Sequence, residues 1–219
     1  GGHHLNLHYT IRNGFIWPTP AFFGAEPARA IMPGGVLLRP LAAEEDCARD
    51  LLSLLEPEQL DQAVIAPVAP TDIVQTNRPR IEDRALPPIG NPGSGDERLR
   101  SYLGLTPELD EMIRYSSTPK GLRLSDMVPE QAQALFRLVH VYLDHLPDAI
   151  TESYQSFLKP NGPNEITFAW AGPLEVGAPH YYRVQCQRLL IEYDCTQDGA
   201  NHTHSVLRNP QGDFGDDPL

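Results

Sequence analysis

From His3 to Ile11 the chain alternates, with Leu5, Leu7, Tyr9 and Ile11 on one side and His4, Asn6, His8 and Thr10 on the other. Period two with one apolar face predicts a half-buried strand. Asn13-Gly14 then supplies the pair that tight hairpins favour, and Phe15-Ile16-Trp17 returns. Pro18, Pro20, Gly24 and Pro27 follow closely, which predicts an irregular segment and no central strand.

The period changes to helical at Ala43, where Ala48, Leu51, Leu54 and Leu55 form an apolar stripe behind Glu44, Glu45 and Asp46. Glu56-Pro57 restarts a short helix, expected to run to about Ile65. Thr106-Pro107 has the form of an N-cap and a first-turn proline. Pro129 opens the longest helix, to about Leu146, buried through Ala132, Leu135, Phe136, Val139, Tyr142, Leu143 and Leu146. Pro147 ends it, and a further helix is expected from Asp148 to Leu158.

After Lys159-Pro160-Asn161-Gly162-Pro163 period two resumes. Strands are expected at Glu165 to Ala171, His180 to Cys186, Leu189 to Asp194 and Asn201 to Leu207, the middle pair as a hairpin. Strands, helices, strands in that order predict an α+β fold, its antiparallel sheet assembled from both chain ends around a helical middle. The whole chain, 1–219, reads as one domain. Within it lie strands and an irregular segment at 1–42, helices at 43–65, a Pro/Gly-rich arm at 66–100, helices at 101–158 and a histidine-bearing β-rich segment at 164–219. Loops as long as that arm are usually functional or disordered.

Composition narrows the partners. A net charge of -12 and the lack of a basic run with interleaved aromatics argue against nucleic acid. With 41% hydrophobic and 21% charged residues the composition is that of an ordinary soluble globular protein, and no stretch approaches the roughly 20 apolar residues of a membrane span. The chain begins at Gly1, so localisation, secreted or cytoplasmic, is open, as is oligomeric state. Cys47, Cys186 and Cys195 have no zinc-ribbon spacing and read as free thiols.

Six of the eight histidines lie in two regions, Gly2 to Tyr9 and His180 to Val206. His202 and His204 are two apart on a strand, so both imidazoles project from one face towards one point. His180 begins a neighbouring strand, and His4 is favoured over His3 because it shares a face with Asn6 and His8. This gives a candidate metal set of His4, His180, His202 and His204. Imidazoles without thiolate suit a divalent transition metal such as zinc, copper or iron. Glu192 and Asp194 share a face; Glu192 is the candidate for proton transfer. Arg183 is the candidate for holding a substrate carboxylate, and Tyr182 shares the face of His180. The plainer alternatives are a cross-strand ion pair for Glu192 and Arg183, and backbone hydrogen bonds for the histidines. Asp213, Asp216 and Asp217 lack calcium-loop spacing and read as a solvated tail.

Gly2-His3-His4-Leu5, Thr19-Pro20-Ala21-Phe22-Phe23-Gly24-Ala25, Phe168-Ala169-Trp170-Ala171-Gly172, His180-Tyr181-Tyr182-Arg183, Ile191-Glu192-Tyr193-Asp194 and Ala200-Asn201-His202-Thr203-His204-Ser205-Val206 follow one another in order. Together they resemble the family catalogued as domain of unknown function 3500, over nearly the whole chain. The resemblance implies a longer protein with a preceding helical region, of which this chain is the C-terminal part. The chain departs from the family pattern at Cys186-Gln187, where Gly-Pro is usual, at Cys195, where Asn is usual, and at His8, where Asn is common. The resemblance implies no reaction.

Three readings follow. The first is a metal-dependent enzyme acting on a small polar or acidic molecule, with the arm closing over the site. The second is a small-molecule-binding module without metal or catalysis. The third, a metal-free hydrolase, is weakest, because no Gly-x-Ser-x-Gly elbow is present.

Overall fold

The computed structural model describes residues 1–87, 105–158 and 165–215. Residues 88–100 of the expected arm, the Lys159–Pro163 segment, and Asp216 and Asp217 of the expected acidic tail lie outside them.

In chain order the strands are β1 (Leu5–Leu7), β2 (Thr10–Arg12), β3 (Phe15–Trp17), β4 (Ala21–Ala25), β5 (Ala30–Ile31), β6 (Leu37–Leu38), β7 (Val64–Ala66), β8 (Leu122–Arg123), β9 (Thr167–Ala171), β10 (His180–Cys186), β11 (Leu189–Gln197) and β12 (His202–Arg208). The α-helices are α1 (Ala42–Ser53), α2 (Pro57–Ala63), α3 (Pro107–Ile113), α4 (Pro129–Leu143) and α5 (Asp148–Phe157). The fold is α+β, as the alternating periods predict. Its main sheet has eight strands in the order β1-β4-β12-β11-β10-β9-β7, with β8 also on β9. All pairings are antiparallel except β7 with β9. Both chain ends therefore share one sheet, and the seam between them is the β4–β12 pairing.

Prolines open α2, α3 and α4 where a missing N–H costs nothing. Thr106 Oγ1 accepts from Leu109 N–H, and the Gln131 side chain reaches back to Val128 N–H at 2.9 Å. Asn13 and Gly14 both adopt positive φ, which the right-handed twist of a two-residue hairpin requires. The β10–β11 hairpin pairs His180 with Cys195 and Cys186 with Leu189, so the two cysteines lie at opposite ends of it, and both are free.

The sheet is covered on both faces. On one, Leu51 of α1 and Leu135, Leu138, Val139 and Tyr142 of α4 pack on Phe168, Trp170, Tyr182, Ile191 and Tyr193. On the other, the proline-rich arm contributes Ala66, Ala69, Val74 and Ala85, and Ile113 and Tyr115 join it over Tyr181 and Leu190. Strands buried on both faces lose simple alternation in exposure, and β9, β10 and β12 are buried throughout.

Three expectations about the chain's path are corrected. Ala21–Ala25 is an interior strand, between β1 and β12, because Pro18 and Pro20 precede it and Pro27 follows, so no ladder N–H is lost. The short helix stops at Ala63, and Val64–Ala66 joins the sheet beside β9, as suits β-branched Val64 and Ile65. The strand expected from His3 to Ile11 breaks into β1 and β2, and its apolar face is exposed, Leu5 at 50% and Ile11 at 73%. Asn6 of β1 is exposed as well, so β1 is uncovered on both faces; of its polar side, Asn6 and His8 border a cavity.

Candidate metal centre and its cavity

Antiparallel register decides which histidines meet. Asp194 pairs with His204, and His204 pairs with Gly24 of β4, so these lie in one row across three strands. His4 completes the row: Gly24 N–H donates to the His4 carbonyl at 2.9 Å, at the start of β1. The His4 ring lies over Gly24, where a Cβ would stand 2.7 Å from His4 Cδ2. Gly24 is thus the gap in the sheet surface that lets an imidazole from β1 reach those of β12.

His4 Nε2 stands 3.0 Å from His202 Nε2. Ligand nitrogens of His4, His202 and His204 all lie within 4.8 Å of one another. The ring centroids are 4.6 Å apart for His202 and His204, and 5.0 and 5.6 Å from His4 to each. Behind the cluster stand carboxylates. His204 Nδ1 contacts Asp194 Oδ1 and Asp72 Oδ1, both at 3.1 Å, and His202 Nδ1 lies 3.9 Å from Asp198 and 4.0 Å from Glu26.

Charge follows from these neighbours. Burial alone would lower the His204 pKa, but hydrogen bonds to Asp194 and Asp72, and their charges, raise it to about 10. Burial pushes the Asp194 carboxyl up to about 6 against the hydrogen bond from His204. His4 and His202 move below the usual imidazole range, first through burial and then through the other imidazoles. Two neutral imidazoles and one held by carboxylates is a donor set suited to a divalent transition ion.

The cluster borders a cavity of about 870 Å³. Its floor is the sheet, through Phe22, Val206 and Arg208, and its roof is the arm, through Asp72, Ile73 and Thr76 to Pro79.

The remaining expected site residues are elsewhere. His180 pairs with Cys195 and so falls on the helix-covered face, opposite His204, since side chains alternate. There it stacks on Trp170 at 5.0 Å and contacts the Ala178 carbonyl and the Arg49 guanidinium, outside the histidine cluster. Tyr182 shares that face, as expected, and its hydroxyl meets Tyr142 at 2.6 Å and the Glu44 carbonyl at 2.9 Å. Glu192 is on the cavity side of the sheet, yet both oxygens are occupied. It accepts from Tyr181 OH at 2.7 Å, Val74 N–H at 2.8 Å and Gln75 N–H at 3.1 Å. It clamps the arm over the sheet, and Asp72 is placed by that clamp. Arg183 is buried beneath the Tyr115 ring at 5.6 Å and does not line the cavity.

Three residues at the site were not foreseen. Asp72 lies in an aperiodic proline-rich stretch, which carries no signal of where it folds. Gly24 was read as a breaker. Arg208 continues the alternation of His202, His204 and Val206, and period two could have found it had the strand been extended one residue. The acidic tail is corrected at Asp213, which is buried: Arg208 Nε donates to it at 2.6 Å and Asn209 N–H at 2.9 Å.

Among the described residues no helix is long and apolar enough to cross a membrane. No curated protein and no solved structure matches the chain. One family model does, and it covers residues 1–216. By that match, spanning nearly the whole sequence and both histidine segments, the chain belongs to the family described as Protein of unknown function (DUF3500).

Proposed function

We propose that this protein is a metal-dependent enzyme acting on a small polar or acidic molecule, with His4, His202 and His204 as the ligands. The observation that carries the reading is the convergence of three imidazole nitrogens within 4.8 Å, from strands 198 residues apart in sequence. Zinc–nitrogen bonds of about 2.0–2.1 Å in a tetrahedron put two ligand nitrogens roughly 3.3 Å apart, close to the His4–His202 separation. Asp194 and Asp72 orient His204 by its other nitrogen, as carboxylates do for metal-bound imidazoles.

His4, His202 and His204 would hold the ion at the border of the cavity, where zinc, copper or iron would supply a Lewis acid or a redox centre. The proton-handling role expected of Glu192 passes to Asp72, which lines the cavity and touches His204. The buried Glu192 holds the strand of arm that carries it.

A binding module without metal is the second reading, favoured by one observation: the 3.0 Å His4–His202 contact is also a complete hydrogen bond between two imidazoles. Elemental analysis of untagged protein separates the two, run beside a His202→Ala/His204→Ala double variant. Near-stoichiometric metal in the wild type, absent from a folded double variant, is the expected result. No metal in the wild type after reloading with zinc, copper and iron would overturn the enzyme reading and leave the binding module.

A further inference from the structure

The end of the cavity away from His202 is built around a buried cation. Period two along β12 turns His202, His204, Val206 and Arg208 to the same side, and all four line the cavity. Arg208 is 1% exposed. Its Nε is held by Asp213, and its Nη2 has no hydrogen-bond partner among the described residues. A guanidinium nitrogen out of water without an acceptor is unfavourable, and an arginine fixed at one edge presents its fork in a set direction. Arg78, also on the cavity wall, is different: its nitrogens serve the Val74 and Leu86 carbonyls, Thr76 and Glu82. Between Arg208 and the histidines the floor is apolar, since Val206 pairs directly with Phe22, whose ring lies 5.5 Å from that of His204.

From these positions we infer that the cavity takes a medium-length organic acid, its carboxylate on Arg208, its hydrocarbon across Val206 and Phe22, and its far end at the histidines. The inference deepens the metal-enzyme reading and rests on it only for what happens at that far end. His204 and Arg208 are four residues apart, roughly 13 Å at about 3.3 Å per residue, so the molecule spans on the order of 10 Å between anchor and reacting end. The anchor is Arg208, where the sequence pointed to Arg183.

Hexanoate, shorter than the full span, is the probe of the anchor and the apolar floor alone, with hexanamide as the neutral isostere, titrated calorimetrically into both chelator-treated and zinc-loaded protein. Hexanoate is expected to bind both forms, and hexanamide at least about tenfold more weakly. Removing Arg208 alone would strand the buried Asp213 carboxylate, so the variant is Arg208→Gln with Asp213→Asn, checked for cooperative melting, and Arg208→Lys is run beside it. Loss of hexanoate binding by at least about tenfold in the folded double variant, with its zinc content unchanged, is the expected result. Binding that survives in that variant, or hexanamide binding as well as hexanoate, overturns the anchor. So does a wild type that takes up zinc but not hexanoate, and the metal reading then stands alone. Should zinc fail to bind while hexanoate still depends on Arg208, the anchor stands and the metal reading falls.

Discussion

His4 lies directly over Gly24, on a backbone that a side chain at position 24 would push away: a Cβ there would meet His4 Cδ2 at 2.7 Å and the Thr203 carbonyl at 3.1 Å. The contact joins the first strand of the chain to the strand beside β12, so one absent methyl decides whether three histidines converge. Gly24→Ala is expected to weaken zinc binding by about 10- to 100-fold while the fold survives. Competition against a chromophoric chelator, with circular dichroism as control, measures both.

His204 gives the site its pH dependence. Its folded pKa of about 10 means that the metal-free site holds a proton there at pH 7, and a metal ligand must be neutral. His4 and His202 are shifted below the usual imidazole range and add no proton at that pH. Metal affinity should therefore rise about tenfold per pH unit from pH 7 to pH 9, with about one proton released per ion. Asp194→Asn removes one of the two carboxylates that raise His204 and should flatten that slope. Calorimetry in buffers of different ionisation enthalpy counts the protons.

Glu192 is the bolt of the arm. Glu192→Gln exchanges an acceptor oxygen for an amide that faces the Val74 or Gln75 N–H, and leaves a buried donor unsatisfied. A stability loss of about 2–4 kcal/mol in urea unfolding is expected. Faster amide exchange should be confined first to residues 71–78, which are roped to the sheet through this carboxylate.

His180 tests the face assignment. It is packed between Trp170 and Tyr193, with ring centroids at 5.0 and 5.7 Å. His180→Ala should cost about 2–4 kcal/mol through the cavity it leaves. Its metal content should equal that of the wild type, because the sheet stands between His180 and the cluster of His4, His202 and His204. A loss of metal in a folded His180→Ala protein would count against the register that places it there.

Much of the fold was legible because local periodicity survives wherever one face of an element is buried. The stripe of α4, the Asn13-Gly14 turn and the hairpin of His180–Cys186 with Leu189–Asp194 were all readable in this way, the second strand running on to Gln197 in the structure. The β1 region misled for a related reason. Alternation marks two faces of a strand but not which one is covered, and here Leu5, Asn6 and Leu7 are all exposed, with Asn6 and His8 at the border of the cavity. Ala21–Ala25 misled because prolines that bracket a strand look in sequence like prolines that break one.

At the site, sequence by itself determined that His202 and His204 share a face, that Tyr182 and Arg183 do not, and that His4 points with Asn6. Those facts follow from the two-residue repeat of an extended chain. Only the tertiary structure decided which of the parallel possibilities met: that His180 falls behind the sheet, that Asp72 arrives from the arm, that Gly24 lies beneath His4, and that Arg208 lines the same cavity as His202 and His204. The reason is register. A strand fixes its own alternation, but a slip of one residue against its neighbour exchanges the two faces, and the ladder that sets this at β12 is made with β4, from the far end of the sequence.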